Sequence, residues 1–225
     1  KLTLVSTEFE ALSEALGLTD LLAESRAISF FDTADLALFD EGVVLRSRAR
    51  PDGDDDSTVK IRPMDSKRVA PEWFRLDGFK CEIDRVGSRA LESCSLSVVQ
   101  DPGEIDDVAA GLRAVDKLFS KQQERFVAEH ALTPPWGELV ALGPVDVTVW
   151  RLTPEDLGRE LTIERWLVPG GPEILEISTK VKASRADRTV AELDGFVAEL
   201  GLKVETDQQT KTRSVLEHFA ARARD

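Results

Sequence analysis

Val43-Val44-Leu45-Arg46-Ser47-Arg48-Ala49-Arg50 alternates residue by residue. Successive side chains of a β-strand point to opposite faces of the sheet. One face of this segment therefore carries Arg46, Arg48 and Arg50, and the other Val43, Leu45, Ser47 and Ala49. The same period runs through residues 58–62, where Thr58, Lys60 and Arg62 oppose Val59 and Ile61. Between the two segments, Pro51-Asp52-Gly53-Asp54-Asp55-Asp56-Ser57 reads as a solvated hairpin turn.

Further segments repeat the pattern with the opposite charge. Lys80, Glu82 and Asp84 alternate with Cys81 and Ile83; Thr162, Glu164 and Trp166 alternate with Leu161, Ile163, Arg165 and Leu167. Ile174, Glu176, Ser178 and Lys180 alternate with Leu175, Ile177, Thr179 and Val181. Gln123, Arg125 and Val127 alternate with Glu124, Phe126 and Ala128, which predicts another strand. Four helices are predicted, over residues 7–16, 105–119, 187–200 and 210–223. The first opens on a Thr7/Glu10 capping box and stops at Gly17. Amphipathic helices are thus available to cover the apolar faces of the strands. The charged faces either meet water, as in an open sheet with helices on one side, or line the interior of a closed barrel.

Composition narrows the function. The 225 residues, 42% of them hydrophobic, suffice for a real core, so the chain is not disordered. Basic and acidic residues number 29 and 42, a net charge of −13, which argues against nucleic acid or an anionic membrane as partner. No run approaches the ~18 apolar residues of a membrane-spanning helix. Two histidines are too few for a His-rich zinc site or a histidine-dependent triad. Cys81 and Cys94 make no disulfide framework, and Cys81 reads as a small core residue; a reducing, cytoplasmic location follows. What remains is local chemistry. Five basic residues gather on one face of two neighbouring strands, and carboxylates gather on three others. Guanidinium forks suit phosphate oxygens, and carboxylates suit hard divalent cations that also bind substrate phosphates. Together they describe a site for a polyphosphate and its metal.

The block Phe30-Phe31-Asp32-Thr33-Ala34-Asp35-Leu36-Ala37-Leu38, then Gly42, then Leu45-Arg46-Ser47-Arg48, resembles the signature of the CYTH, or triphosphate tunnel metalloenzyme, superfamily. Thr58-Val59-Lys60, Glu82, Arg125, Glu164, Leu175-Glu176-Ile177-Ser178 and Thr210-Lys211-Thr212 resemble its later motifs in order, so the likeness spans essentially the whole chain as one domain, residues 1–225. Lys1 stands at the last position of the family's opening Glu-x-Glu-x-Lys. The resemblance implies an α+β fold: a closed eight-stranded antiparallel barrel, a tunnel with a charged interior, flanked by helices. It implies Mg²⁺- or Mn²⁺-dependent hydrolysis of a small-molecule triphosphate, inorganic triphosphate first. Arg46, Arg48, Lys60, Arg62, Arg125 and Lys211 would bind phosphate, with Lys1, Lys60 and Arg125 catalytic and Glu82, Glu164 and Glu176 on the metal. Asp84 shares the face of Glu82 as a weaker candidate, and Trp166 shares that of Glu164. Ser178 replaces the second glutamate of the family's late Glu-x-Glu strand, which removes a carboxylate. Two alternatives stay open: an adenylate cyclase of the same fold, and a polyphosphate- or nucleotide-binding module without turnover. Asp32 and Thr33 are expected to fix a turn through side-chain to backbone hydrogen bonds.

Overall fold

A computed structural model describes residues 1–86, 89–208 and 210–222. Nine strands form one antiparallel sheet: β1 (Leu2–Leu4), β2 (Glu24–Asp32), β3 (Val43–Ala49), β4 (Asp56–Ile61), β5 (Phe79–Val86), β6 (Arg89–Val99), β7 (Val140–Leu152), β8 (Leu161–Leu167) and β9 (Glu173–Ser178). Their order across the sheet is β1-β9-β8-β7-β2-β3-β4-β6-β5. Every neighbouring pair is a hairpin or a longer antiparallel return, so adjacent charged faces fall on the same side.

The expected eight-stranded closed barrel is not what forms. Among the described residues there are nine strands, the sheet is open, and no ladder joins its edge strands β1 and β5. The sheet nevertheless curves until those edges meet. The contacts across the gap are mainly ionic: Lys1 Nζ lies 3.2 Å from Asp84, and Lys180 Nζ lies 3.5 Å from Glu82. Side-chain charge bridges the edges where a barrel would use continuous backbone hydrogen bonds.

One face is apolar and covered. Leu45, Val59, Leu96 and Phe31 pack beneath α3 (Glu104–Ala109) and α4 (Lys121–His130), and all four are at most 3% exposed. Leu4, Ile163, Leu175 and Ile177 pack beneath α1 (Phe9–Leu16) and α5 (Ala186–Glu199). The opposite face is divided. Phe30, Val147, Trp166 and Ile174 bury against Val215, Leu216 and Ala220 of α6 (Lys211–Arg222), and the remainder is charged.

The strand predicted over residues 123–128 is α4. Ser120 accepts a hydrogen bond from Gln123 N, and the Gln123 side chain returns one from Ser120 N. This capping box starts a helix. Gln123, Phe126 and Val127 then recur at helical spacing and are all buried, which the two-residue period had masked. The helix predicted over residues 105–119 breaks into α3 and a short 3₁₀ turn (Val115–Leu118), because Gly111 sits between them at φ +72°. Helix α1 begins later than expected, after a 3₁₀ turn at Ser6–Glu8, but ends as read, on Gly17 at φ 61°. Cys81 and Cys94, opposite each other on β5 and β6, are joined by a disulfide, which removes the ground for a reducing, cytoplasmic setting. Among the described residues no helix is long and apolar enough to cross a membrane.

One corner sets the rim of the charged face. The buried Asp32 carboxylate accepts backbone hydrogen bonds from Thr33 N at 2.7 Å and from Leu38 N and Phe39 N, each at 2.9 Å. These bonds start the short helix α2 (Ala37–Asp40). The chain then turns at Gly42, whose φ is +78° and whose Cβ, if present, would lie 2.2 Å from the Arg62 carbonyl oxygen. Arg62 N donates to Gly42 O at 2.8 Å, so the corner fixes Phe39 and Arg62 together. Replacing Asp32 with Ala leaves three backbone donors unsatisfied and is expected to cost about 3 kcal/mol. For a chain of this size the thermal midpoint should fall by roughly 6–12 °C, measured by circular dichroism. A fall of less than about 2 °C would mean that the corner stands without the carboxylate.

Candidate functional site

The charged part of the inner face opens into a cleft of about 740 Å³. Each strand contributes through its alternation. Arg46 comes from β3, Thr58 and Lys60 from β4, Asp84 from β5 and Glu176 from β9; Lys1, Arg62 and Lys211 complete the charged wall. Phe30, Phe39, Val44 and Leu91 add an apolar side.

The charges include two paired centres, the half-buried Arg46 that no carboxylate among the described residues pairs, and the exposed Arg89. In the first centre Asp84 accepts from Lys60 Nζ at 3.0 Å, also bonds Arg62, and faces Lys1. Burial raises the Asp84 pKa, but the three cations outweigh it and hold the carboxyl well below its usual range. Lys60 is pushed down to about 8, first by burial and then by its cationic neighbours Arg62 and Lys1, against the pull of Asp84. Burial also lowers Lys1, yet the carboxylates of Glu176 and Asp84 more than reverse this, and its side-chain amine ends raised.

The second centre lies across β8 and β9, where Glu164 and Glu176 are direct cross-strand partners. The Lys211 ammonium bonds both, at 2.8 Å from Glu176 Oε1. Trp166 Nε1 donates to Glu164 Oε2 at 2.9 Å. Burial raises the Glu164 pKa, but Lys211 and the indole N–H bring it down to about 2.

Arg46, on β3, lines the same cleft. Its Nε is buried without a hydrogen-bond partner, and no carboxylate among the described residues pairs with it. Burial, reinforced by the charge of Arg48, pushes the guanidinium down to about 9. A half-buried cation that no carboxylate pairs is costly.

The other candidates fall outside the cleft. Arg48 makes a bidentate contact with Asp56, which also pairs with Arg50. A second hollow of about 670 Å³ is lined by Arg50, already matched by Asp56, and by the exposed Arg75. Glu82 pairs with Lys80 and Lys180. Arg125 is exposed on α4, bonded to Glu129 and stacked over Trp73 at 5.2 Å, on the helix-covered side of the sheet. Its placement follows from the misread period of residues 123–128. Asp84, the weaker candidate, turns out to be the carboxylate at the cleft. Phe39 and Arg213, stacked at 5.0 Å on its rim, carried no signal in the strand pattern, since one lies in α2 and the other in α6.

At the level of sequence, no family model and no curated protein matches this chain. Solved structures do. HpAC1 from Hippeastrum, named as an adenylyl cyclase with a dominant triphosphatase activity, superposes with a TM-score of 0.67 at 21% identity, over 96% of this chain and 93% of its own. A protein from Bacillus halodurans named as an adenylate cyclase superposes with a TM-score of 0.65 at 16% identity, over 95% of this chain and 94% of its own. The chain shares its fold with these two proteins. The resemblance read in the block 30–48 is thus matched by the backbone as a whole, with the sheet open at its edges.

The resemblance to the CYTH superfamily read in the sequence implies a divalent metal. Among the described residues no three His, Cys, Asp or Glu side chains gather as a metal cluster. Mg²⁺, however, needs only one or two carboxylates when phosphates and waters supply the rest. Glu164 and Glu176 fit that donor set: both are hard oxygen ligands, they face each other, and a cation, the Lys211 ammonium, already sits between them.

If the unpaired Arg46 is an anion site, tripolyphosphate should stabilise the fold with no metal present. At about 100 times its dissociation constant it is expected to add about 2.7 kcal/mol, a thermal shift of about 5–10 °C, read in EDTA. Arg46→Met should abolish most of that shift. An equal shift in both chains would place the anion elsewhere.

Proposed function

We propose that the chain hydrolyses a small-molecule triphosphate with the help of Mg²⁺ or Mn²⁺. The observation that carries this reading is the unpaired Arg46, its Nε buried, in a cleft that Lys60, Arg62 and Glu176 also line, with Glu164 directly opposite Glu176 on the next strand. The fold shared with HpAC1, a protein with dominant triphosphatase activity, supports it.

In this reading Arg46 takes phosphate oxygens directly, because no internal partner has to be displaced. Lys60 and Arg62 exchange Asp84 for phosphate oxygens, which leaves Asp84 held by Lys1. The cations thereby spread along the triphosphate and offset the charge that builds on the phosphoryl oxygens during attack by water. Glu164 and Glu176 would hold the metal, which polarises a phosphoryl oxygen when bound. Trp166 keeps the Glu164 carboxylate aimed through its N–H. A second reading, cyclisation of ATP, is favoured by one feature: the apolar side made by Phe39, Val44 and Leu91 leaves room for more than phosphate.

The decisive assay offers inorganic triphosphate, ATP and thiamine triphosphate with Mg²⁺ or Mn²⁺. Phosphate release from triphosphate is expected. Cyclic AMP with pyrophosphate would favour the cyclase, and binding without product would make the chain a binding module. Arg46→Ala should lower kcat/KM by roughly ten- to a hundredfold, the loss of one charged hydrogen bond. Turnover unchanged in Arg46→Ala would remove the site assignment.

The pH dependence has a definite sign. Lys60 is cationic below its pKa of about 8 and loses its charge as pH rises through that value. The kcat/KM of the free protein should therefore fall on the alkaline side of about 8. Lys60→Arg keeps its charge there and should carry that limb to higher pH. An alkaline limb at the same pH in both chains would assign it to another group.

A further inference from the structure

The Lys211 ammonium sits where a metal ion would be needed, and three features show that the carboxylates recruit it. Glu164 and Glu176 are directly opposite on adjacent strands, and both are largely buried. Like charges so placed repel, so the protein alone requires a cation between them. Lys211 is also the first residue of α6. A cation at a helix N-terminus opposes the helix dipole, so the helix itself does not call for a lysine there. Its ammonium lies 4.9 Å from the centre of the Trp166 ring, whose N–H holds Glu164 in place.

We propose that Lys211 is a resident counter-ion, which holds the Glu164–Glu176 pair until a divalent cation replaces it. Metal loading and release of Lys211 are then a single exchange. Helix α6 does not have to move, because Val215, Leu216 and Ala220 anchor it in the apolar part of the inner face while only the Lys211 side chain swings. The released ammonium stays beside the cleft that Lys211 lines, where it adds a cation for a bound phosphate. The exchange thus converts a cation that neutralises the carboxylates into one available to an anion. This inference rests on reading the cleft as a triphosphate and metal site.

Two measurements test it without turnover. Mn²⁺ alone, with no phosphate, is titrated by electron paramagnetic resonance into the full chain, into Lys211→Met and into Lys211→Arg. Lys211→Met is expected to bind Mn²⁺ roughly tenfold or more tightly than the parent chain, the equivalent of about 1.4 kcal/mol. Lys211→Arg, which keeps the charge, should show no such gain. Separately, acetylation of Lys211 in the parent chain, followed by mass spectrometry, should rise when Mn²⁺ is brought to saturation. The labelling needs no variant, so it decides the matter even if Lys211→Met does not fold. Equal or weaker Mn²⁺ binding by a folded Lys211→Met, unchanged labelling at saturation, or no Mn²⁺ binding by any of the three chains would overturn the exchange. Triphosphate hydrolysis by the parent chain is scored apart. Tighter Mn²⁺ binding and increased labelling without phosphate release would keep the exchange and remove the hydrolase. Phosphate release without either would keep the hydrolase and remove the exchange.

Discussion

A cation with a buried, unpartnered N–H and no carboxylate paired to it costs free energy, and the half-buried Arg46 is such a group. It cannot relax toward solvent easily. It lies on β3, hydrogen-bonded on both sides by β2 and β4, and the alternate residues Val43, Leu45 and Ser47 are locked into the covered face at 0–1% exposure. The packing of that apolar face therefore dictates where Arg46 points. The neighbouring cations are matched: Arg48 by Asp56, Lys60 and Arg62 by Asp84, Lys211 by the two glutamates. Among the described residues Arg46 is the half-buried cation of the cleft that no carboxylate pairs, while Arg89, also in its lining, is exposed.

Curvature turns this local imbalance into a site. A flat sheet would leave Asp84 on one edge strand far from Glu176, which pairs with the other edge strand. Here the edges approach, and Lys1 feels both carboxylates. Helix α6 then fills the apolar part of the inner face with Val215, Leu216 and Ala220, leaving the charged part as a bounded cleft. The same helix delivers Lys211 to the Glu164–Glu176 pair, so the wall that bounds the cleft also controls its carboxylates.

The two-residue period made the faces legible. It assigned Arg46, Lys60, Arg62, Asp84, Glu164 and Glu176 to one side, and the structure sets five of them in the cleft lining, with Glu164 directly opposite Glu176 on the next strand. Period alone does not say how far along a strand the cleft extends. Residues i and i+2 share a face but stand about 7 Å apart, which separates Arg46 from Arg48 and Asp84 from Glu82. Curvature, a long-range property, chooses between them. Nor does period encode closure, which depends on what the edge strands meet. Over residues 123–128 period misled outright: a short stretch satisfied both templates, and the Ser120/Gln123 capping box was the stronger signal. The long returns β6 and β7 also alternate, Cys94, Leu96 and Val98 with Ser93, Ser95 and Ser97, and Val145, Val147 and Val149 with Asp146 and Thr148, but carry no row of charges to draw a reading, while the ladder between β2 and β7 has a register shift between Ile28 and Phe30.

The most direct test of the unpaired cation is a crystal structure of the chain with tripolyphosphate bound. Phosphate oxygens within hydrogen-bonding distance of the Arg46 guanidinium, with Lys60 and Arg62 turned from Asp84 toward the anion, is the result expected. An anion seated instead at the Arg48–Arg50 end, with Arg46 still unpartnered and the Asp84 cluster intact, would contradict it.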